Sequence, residues 1–393
     1  MYFRSFEVSP LDCNLSLQFR PSFNEINGLK FKRSFSGNDP HIIYIPNSDI
    51  KDLIHIHLCG TASKANEDSK EFLKSSVMNE NLITIGLNYE WGEPDLTRVE
   101  RCESIADTSN EALDIMDKFH ENIVMGSKDC TCGLIDIDSS STIVKRIKDL
   151  ILYLILHDIT NSSIWKSLLI NNNSNESNNN DNSDLTDIDW KRIILSGHSQ
   201  GAGHAAWLAQ RASLHTLVLL SGPQEGGEHL DLLSSHWLDR PCLAGHVRCL
   251  KHKQEEGRNN QMIESSVKRI FNSTTFTVAD IDIDRDICFK TDTVFSLSKI
   301  SGGGKDNGEC ILLRSDVSPA VVSHPGPRPN HMSTCLDVWT PKYGNEHDEE
   351  IEKERGTDIR ALYTRWVWGY LLLGIKCSAS AVTSISTSIH SSL

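Results

Sequence analysis

The sequence predicts an α/β protein built on a mostly parallel central sheet with helices on both faces. Three observations carry this expectation. Short β-branched apolar runs recur at 51–60, 81–88, 192–196 and 215–220. Helical patterns separate them, and strand–helix–strand alternation marks a parallel sheet wound on both sides. The segment ILSGHSQGAGHAAWLAQ then joins an apolar strand to a small-residue helix through a glycine-rich turn.

Taken in order, KDLIHIHLCG (51–60) is an apolar run closed by Gly60, and NLITIGLN (81–88) is a second. Both read as buried parallel strands. Residues 67–78 have the composition of a crossover helix, 98–119 follow a helical pattern, and 143–156 form a strongly amphipathic helix. Residues 171–184, NNNSNESNNNDNSD, carry no apolar side chain. Such a segment cannot offset the entropy of ordering itself and is expected to be a disordered surface insertion. Strand 192–196, helix 202–212 and strand 215–220 follow, with a further strand expected at 241–247. Residues 250–315 are polar and suggest a lid or an irregular excursion before the chain returns at 317–322. The organisation expected is an N-terminal extension (1–45), one α/β domain (46–376) and a flexible tail (377–393). Within that domain WVWGYLLLGI (366–375) is half the length of a membrane span and reads as a buried helix.

The glycine-rich turn carries the chemistry. Gly197-His198-Ser199-Gln200-Gly201 fits G-x-S-x-G between a strand and a helix, the setting of the nucleophile elbow of the α/β-hydrolase fold. The serine must sit on a sharp, strained turn that lifts its hydroxyl above the sheet, and flanking glycines supply the space. An elbow serine also needs oxyanion donors, a base and an acid. One donor is expected to be the Gln200 N–H, just after the nucleophile. The other is expected to be the Thr61 N–H, in the loop after strand 51–58, with Gly60 allowing close approach. Of the 16 histidines, His198 and His204 flank the serine too closely in sequence to act as its base. The base is sought late in the chain, in VVSHPGPRPNHMSTCLDVW, where His331 is preferred and His324 is the alternative. For the acid, Glu255 or Glu256 after the strand at 241–247, and Glu225 in SGPQEGG, all stay open.

Length and charge bound the rest. The 393 residues are enough for one large α/β domain. A net charge of −14 with scattered Lys and Arg argues against binding nucleic acid or anionic membrane. The eleven cysteines follow no regular framework, and Cys130-Thr131-Cys132 is too tight for a zinc knuckle. Reduced thiols are the expectation. The first residues hold no unbroken apolar stretch and no small-residue cleavage site, so a cytoplasmic protein is expected.

These motifs resemble a mostly bacterial family of α/β-hydrolases whose elbow reads GHSQGGGHAA before a strand ending in S-x-P. LIHIHLCGTASK is similar to the family's oxyanion strand, LITIGLNYEW to its next strand, IDIDSSSTIVKRIKDLILYL to the helix before the elbow, and HMSTCLDVWTP to its His-containing loop. The resemblance implies Ser199 as nucleophile and His331 as base. Members carry H-x-x-D after the next-to-last core strand, and His252-Lys253-Gln254-Glu255 is similar with Glu in place of Asp, which implies Glu255 as the acid. The function expected is a serine hydrolase cleaving carboxylic esters of small molecules through an acyl-enzyme, with no metal and no organic cofactor. A catalytically silent binding fold and an acyltransferase are the alternatives. The resemblance names no substrate.

Overall fold

The computed structural model describes residues 3–13, 23–26, 29–35, 37–61, 63–90, 109–126, 137–170, 183–225, 236–256, 259–271, 277–281, 310–315, 329–335 and 367–374. Their strands are β1 (Phe3–Val8), β2 (Phe23–Ile26), β3 (Leu29–Phe35), β4 (His41–Pro46), β5 (Ile54–Leu58), β6 (Ile83–Leu87), β7 (Ile193–His198), β8 (Thr216–Leu220), β9 (His246–His252), β10 (Thr277–Ile281) and β11 (Cys310–Ser315). β2 and β3 pair with each other. The other nine form one sheet in the order β1-β4-β6-β5-β7-β8-β9-β11-β10. β4 runs antiparallel to β1 and β6, and every pairing from β6 to β10 is parallel.

The period-2 alternation of the strands sorts side chains to two faces. Ile193, Leu195, Leu217 and Leu219 enter one core, whereas Ile194, Val218, Leu220 and Leu250 enter the other. The relevant helices are α1 (Lys70–Glu80), α2 (Ser109–Met125), α3 (Ile143–His157), α4 (Gln200–Ala209), α5 (Asn259–Phe271), α6 (Pro329–Met332) and α7 (Val367–Leu373). α2 to α5 pack on the first face, and α1 and α7 on the second. α3 shows why. Thr142 caps it by accepting the Lys145 N–H at 3.3 Å, and Ile143, Ile147, Leu150, Ile151 and Leu154 then fall on one buried stripe. Each such burial contributes roughly 1.5–3 kcal/mol, which outweighs intrinsic helix propensity in choosing the face.

Three expectations are corrected here. Residues 1–45 are not wholly an extension, because β1 and β4 complete the sheet. β1 is an edge strand on which only Val8 is fully buried, so its apolar signal is weak. The strand sought at 241–247 lies at His246–His252. Its charges hide it: Arg248 caps the end of α7 by donating to the Leu371 and Leu372 carbonyls at 3.1 and 3.2 Å, and buried Lys251 meets Glu264 at 2.7 Å. The described part of 250–315 is sheet and core, not lid: β10 and β11 extend the sheet, and Ile263, Val267 and Ile270 seat α5 in the first core. β11 spans Cys310–Ser315, and the return expected at 317–322 lies outside the described residues.

α7 confirms the buried helix expected within 366–375. The tail at 377–393 and residues 171–182 of the insertion lie outside the described residues. Around that insertion the chain is tied at its base. Leu169 and Ile188 form an antiparallel bridge, and the Ile170 N–H donates to the Asp187 carbonyl at 2.9 Å.

Candidate active site

The chain has the α/β-hydrolase fold, and an open α/β sheet of this kind offers its crevice outside the carboxyl ends of the parallel strands. Ser199 leaves the end of β7 there. Its φ of 53° and ψ of −116° place a non-glycine residue in left-handed backbone, a conformation that costs on the order of 1–3 kcal/mol. Two hydrogen bonds hold it: the Ser199 N–H donates to the Leu220 carbonyl at 2.9 Å, and the Ala202 N–H donates to the Ser199 carbonyl at 3.1 Å. Glycine is needed on both sides. A Cβ at 197 would lie 2.2 Å from the Gly201 carbonyl oxygen, and one at 201 would lie 2.4 Å from the Leu58 carbonyl oxygen.

The turn after β5 closes on this elbow. A Cβ on Gly60 would sit 3.1 Å from the Cβ of Ser199 and 2.9 Å from Nδ1 of His198. Beyond it, the exposed Thr61 donates its hydroxyl to Oε1 of the buried Gln200. The two residues expected to supply oxyanion donors are therefore joined through their side chains.

His331 reaches the elbow from α6. Its carbonyl accepts from Nε2 of His198 at 3.1 Å, and the two rings are 5.0 Å apart. Burial, with His331 adding to it, lowers the His198 pKa to about 3, so His198 is neutral and serves as a strut. The other side of His331 meets an acid: its Nδ1 lies 2.9 Å from Oε2 of Glu255, and both side chains are buried. Oε1 of Glu255 accepts from the Ser221 hydroxyl at 2.6 Å and from the His252 N–H at 3.4 Å. Burial by itself would raise this carboxyl's pKa. The hydrogen bond and charge of His331, with Ser221 and the His252 N–H, outweigh burial and hold it below the usual carboxylate value.

The neighbouring Glu256 does different work. It accepts the Asn330 and His331 N–H groups at 2.7 and 3.0 Å, capping the first turn of α6. Glu256→Ala is expected to lower the unfolding free energy by about 1–2 kcal/mol in a urea titration. An unchanged midpoint would mean that the bond from Asn330 Nδ2 to the Gln254 carbonyl holds the turn instead.

Glu225, the other acid candidate, does not meet His331. It lies 2.7 and 2.9 Å from Nε2 of His120, on α2. The reason is local. The Glu225 N–H is taken by the Ser266 hydroxyl on α5 at 3.1 Å, and its carboxylate by His120 on α2. His324 lies outside the described residues. Three participants escaped sequence reasoning. Ser221 and Gln224 sit in the SGPQE run, where only Glu225 was weighed for the site, and Gln224 brings its Nε2 to 3.2 and 3.1 Å from Nδ1 and Nε2 of His331. His120 has no sequence signal, being one histidine in a helical pattern.

Among the described residues no three His, Cys, Asp or Glu side chains converge to hold a metal ion, and no helix is long and apolar enough to cross a membrane. No protein-family profile matches the sequence. No curated protein matches it either. Among solved structures, the chain is similar to a dienelactone hydrolase from Anabaena variabilis at 10% identity and a TM-score of 0.32, over 81% of this chain and 88% of that one. It is similar to carboxyl esterase 2 from Tuber melanosporum at 8% identity and a TM-score of 0.34, over 80% and 76%. A mutant of esterase E40 aligns at 10% identity and a TM-score of 0.36, over 92% and 84%.

Proposed function

We propose that the protein is a serine hydrolase that cleaves carboxylic esters of small molecules through an acyl-enzyme on Ser199. The observation that carries this reading is the buried Glu255–His331 hydrogen bond, set against an elbow serine in left-handed backbone. As a carboxylate Glu255 only accepts, so His331 carries its hydrogen on Nδ1 and presents Nε2 as a base. In this mechanism Ser199 Oγ attacks the ester carbonyl carbon while Nε2 takes the hydroxyl proton. The Gln200 and Thr61 N–H groups stabilise the oxyanion. Collapse expels the alcohol, which takes the proton from His331. Water, deprotonated by the same Nε2, then attacks the acyl carbon, and collapse breaks the acyl–Oγ bond, releases the acid and returns the proton from His331 to Ser199 Oγ.

The test is direct. The purified protein should hydrolyse p-nitrophenyl acyl esters and take up a fluorophosphonate, with the adduct mapped to Ser199 by peptide mass spectrometry. Label uptake reports the whole assembly, because an elbow serine is an ordinary alcohol until a base takes its proton. A protein that neither takes the label nor turns over esters of any chain length is not a serine hydrolase.

A further inference from the structure

A second buried hydrogen-bond chain runs beneath the elbow, and none of its bonds serves His331. Nε2 of His120 lies 2.7 Å from the Glu225 carboxylate, which also accepts the Trp237 indole N–H at 3.0 Å. Nδ1 of His120 lies 2.8 Å from Nδ1 of His204. Nε2 of His204 lies 3.3 Å from the Gln200 amide nitrogen, and Oε1 of Gln200 accepts the Thr61 hydroxyl. His120, His204 and Gln200 are all buried. Gly203 makes room for the first link, since a Cβ there would lie 2.8 Å from the His120 ring.

Donor and acceptor chemistry fixes the direction of this chain. A carboxylate only accepts, so His120 carries a hydrogen on Nε2, and with one hydrogen per link its Nδ1 accepts. His204 must then donate from Nδ1, which leaves its Nε2 as an acceptor for the Gln200 amide. That sets the Gln200 carbonyl toward Thr61. In this arrangement every proton points toward Glu225, and every link is satisfied. The chain ends on the side chains of Gln200 and Thr61, whose N–H groups are the proposed oxyanion donors.

We infer that Glu225, His120 and His204 are positioning residues that hold the oxyanion hole in register by fixing the Gln200 carboxamide against Thr61. The inference rests on the serine-hydrolase reading of the site. A donor displaced by a fraction of an ångström stabilises the transition state less while ground-state binding is hardly changed, so the loss falls on kcat.

His204 gives the sharpest test because two substitutions separate its ring from its nitrogen. The ring packs against Tyr89 at 5.4 Å and Phe119 at 5.7 Å between centroids. His204→Phe keeps an aromatic ring there and removes the acceptor. His204→Gln loses the ring and keeps a polar atom near the position of Nε2. With p-nitrophenyl esters, His204→Phe is expected to lower kcat by about 10–100-fold with KM within about twofold. His204→Gln is expected to recover most of that loss, whereas a role in packing alone reverses the order of the two variants. Equal kcat in wild type and His204→Phe, or an equal loss in both variants, overturns the inference while wild-type turnover leaves the serine-hydrolase reading intact. A wild-type protein that neither turns over esters nor takes the fluorophosphonate overturns both together.

Discussion

Ser199→Ala is expected to abolish fluorophosphonate labelling and to leave ester turnover at the residual rate that oxyanion donors and binding supply. The reason lies in the division of labour at the elbow. The left-handed backbone at 199 holds one hydroxyl at the carboxyl end of the sheet, and His331 has no other alcohol assigned to it in this mechanism. His331→Ala should lower kcat by a comparable factor, on the order of 10⁴–10⁶, because nucleophile and base act as a unit and their losses do not add. The double variant should therefore be no slower than either single one. Stopped assays with p-nitrophenyl acetate and butyrate measure this, with circular dichroism reporting the fold. Additive losses in the double variant would show that the two residues do not act together.

The second large effect is expected from Glu255→Gln. The carboxylate uses Oε1 for Ser221 and the His252 N–H, and Oε2 for His331. Glutamine has a single carbonyl oxygen. The backbone N–H of His252 cannot turn away, so that oxygen stays with it and the amide nitrogen faces Nδ1 of His331. The imidazole must then accept at Nδ1, which moves its hydrogen to Nε2 and removes the base. A loss of about 10³–10⁴-fold in kcat follows, with KM changed far less. Glu225→Gln, at a residue bonded to His120, should cost no more than the about 10–100-fold expected of His204→Phe. An equal loss in the two glutamine variants would sink the assignment of the acid.

The elbow was legible in the sequence because its requirements are local. Strand, turn and helix are contiguous, and the glycines at 197 and 201 are dictated by backbone atoms within a few ångströms. Helix α3 was legible for the same reason, through one unbroken apolar stripe. β9 was misplaced because hydropathy cannot see that Arg248 and Lys251 are buried with partners on α7 and α5. β1 was missed because an edge strand needs few apolar residues. At the site, Glu255 was singled out through a resemblance, since Glu225 and Glu256 have equal claims by spacing. Only the folded chain shows that the three glutamates hold three different things: an imidazole, a backbone turn and a second histidine. His120 lies 105 positions from Glu225, and no local pattern announces a pairing of that range.

The bridge between Leu169 and Ile188 makes this point of the surface a docking port for foreign sequence. Both ends of the intervening stretch are fixed side by side, so residues added between 170 and 183 are expected to leave this bridge in place. Each doubling of such a loop costs only about 0.6 kcal/mol in closure entropy. A fluorescent protein or an affinity epitope spliced in there would leave the same two strands of chain clasped at its root. The protein could then be tracked or immobilised without touching either terminus.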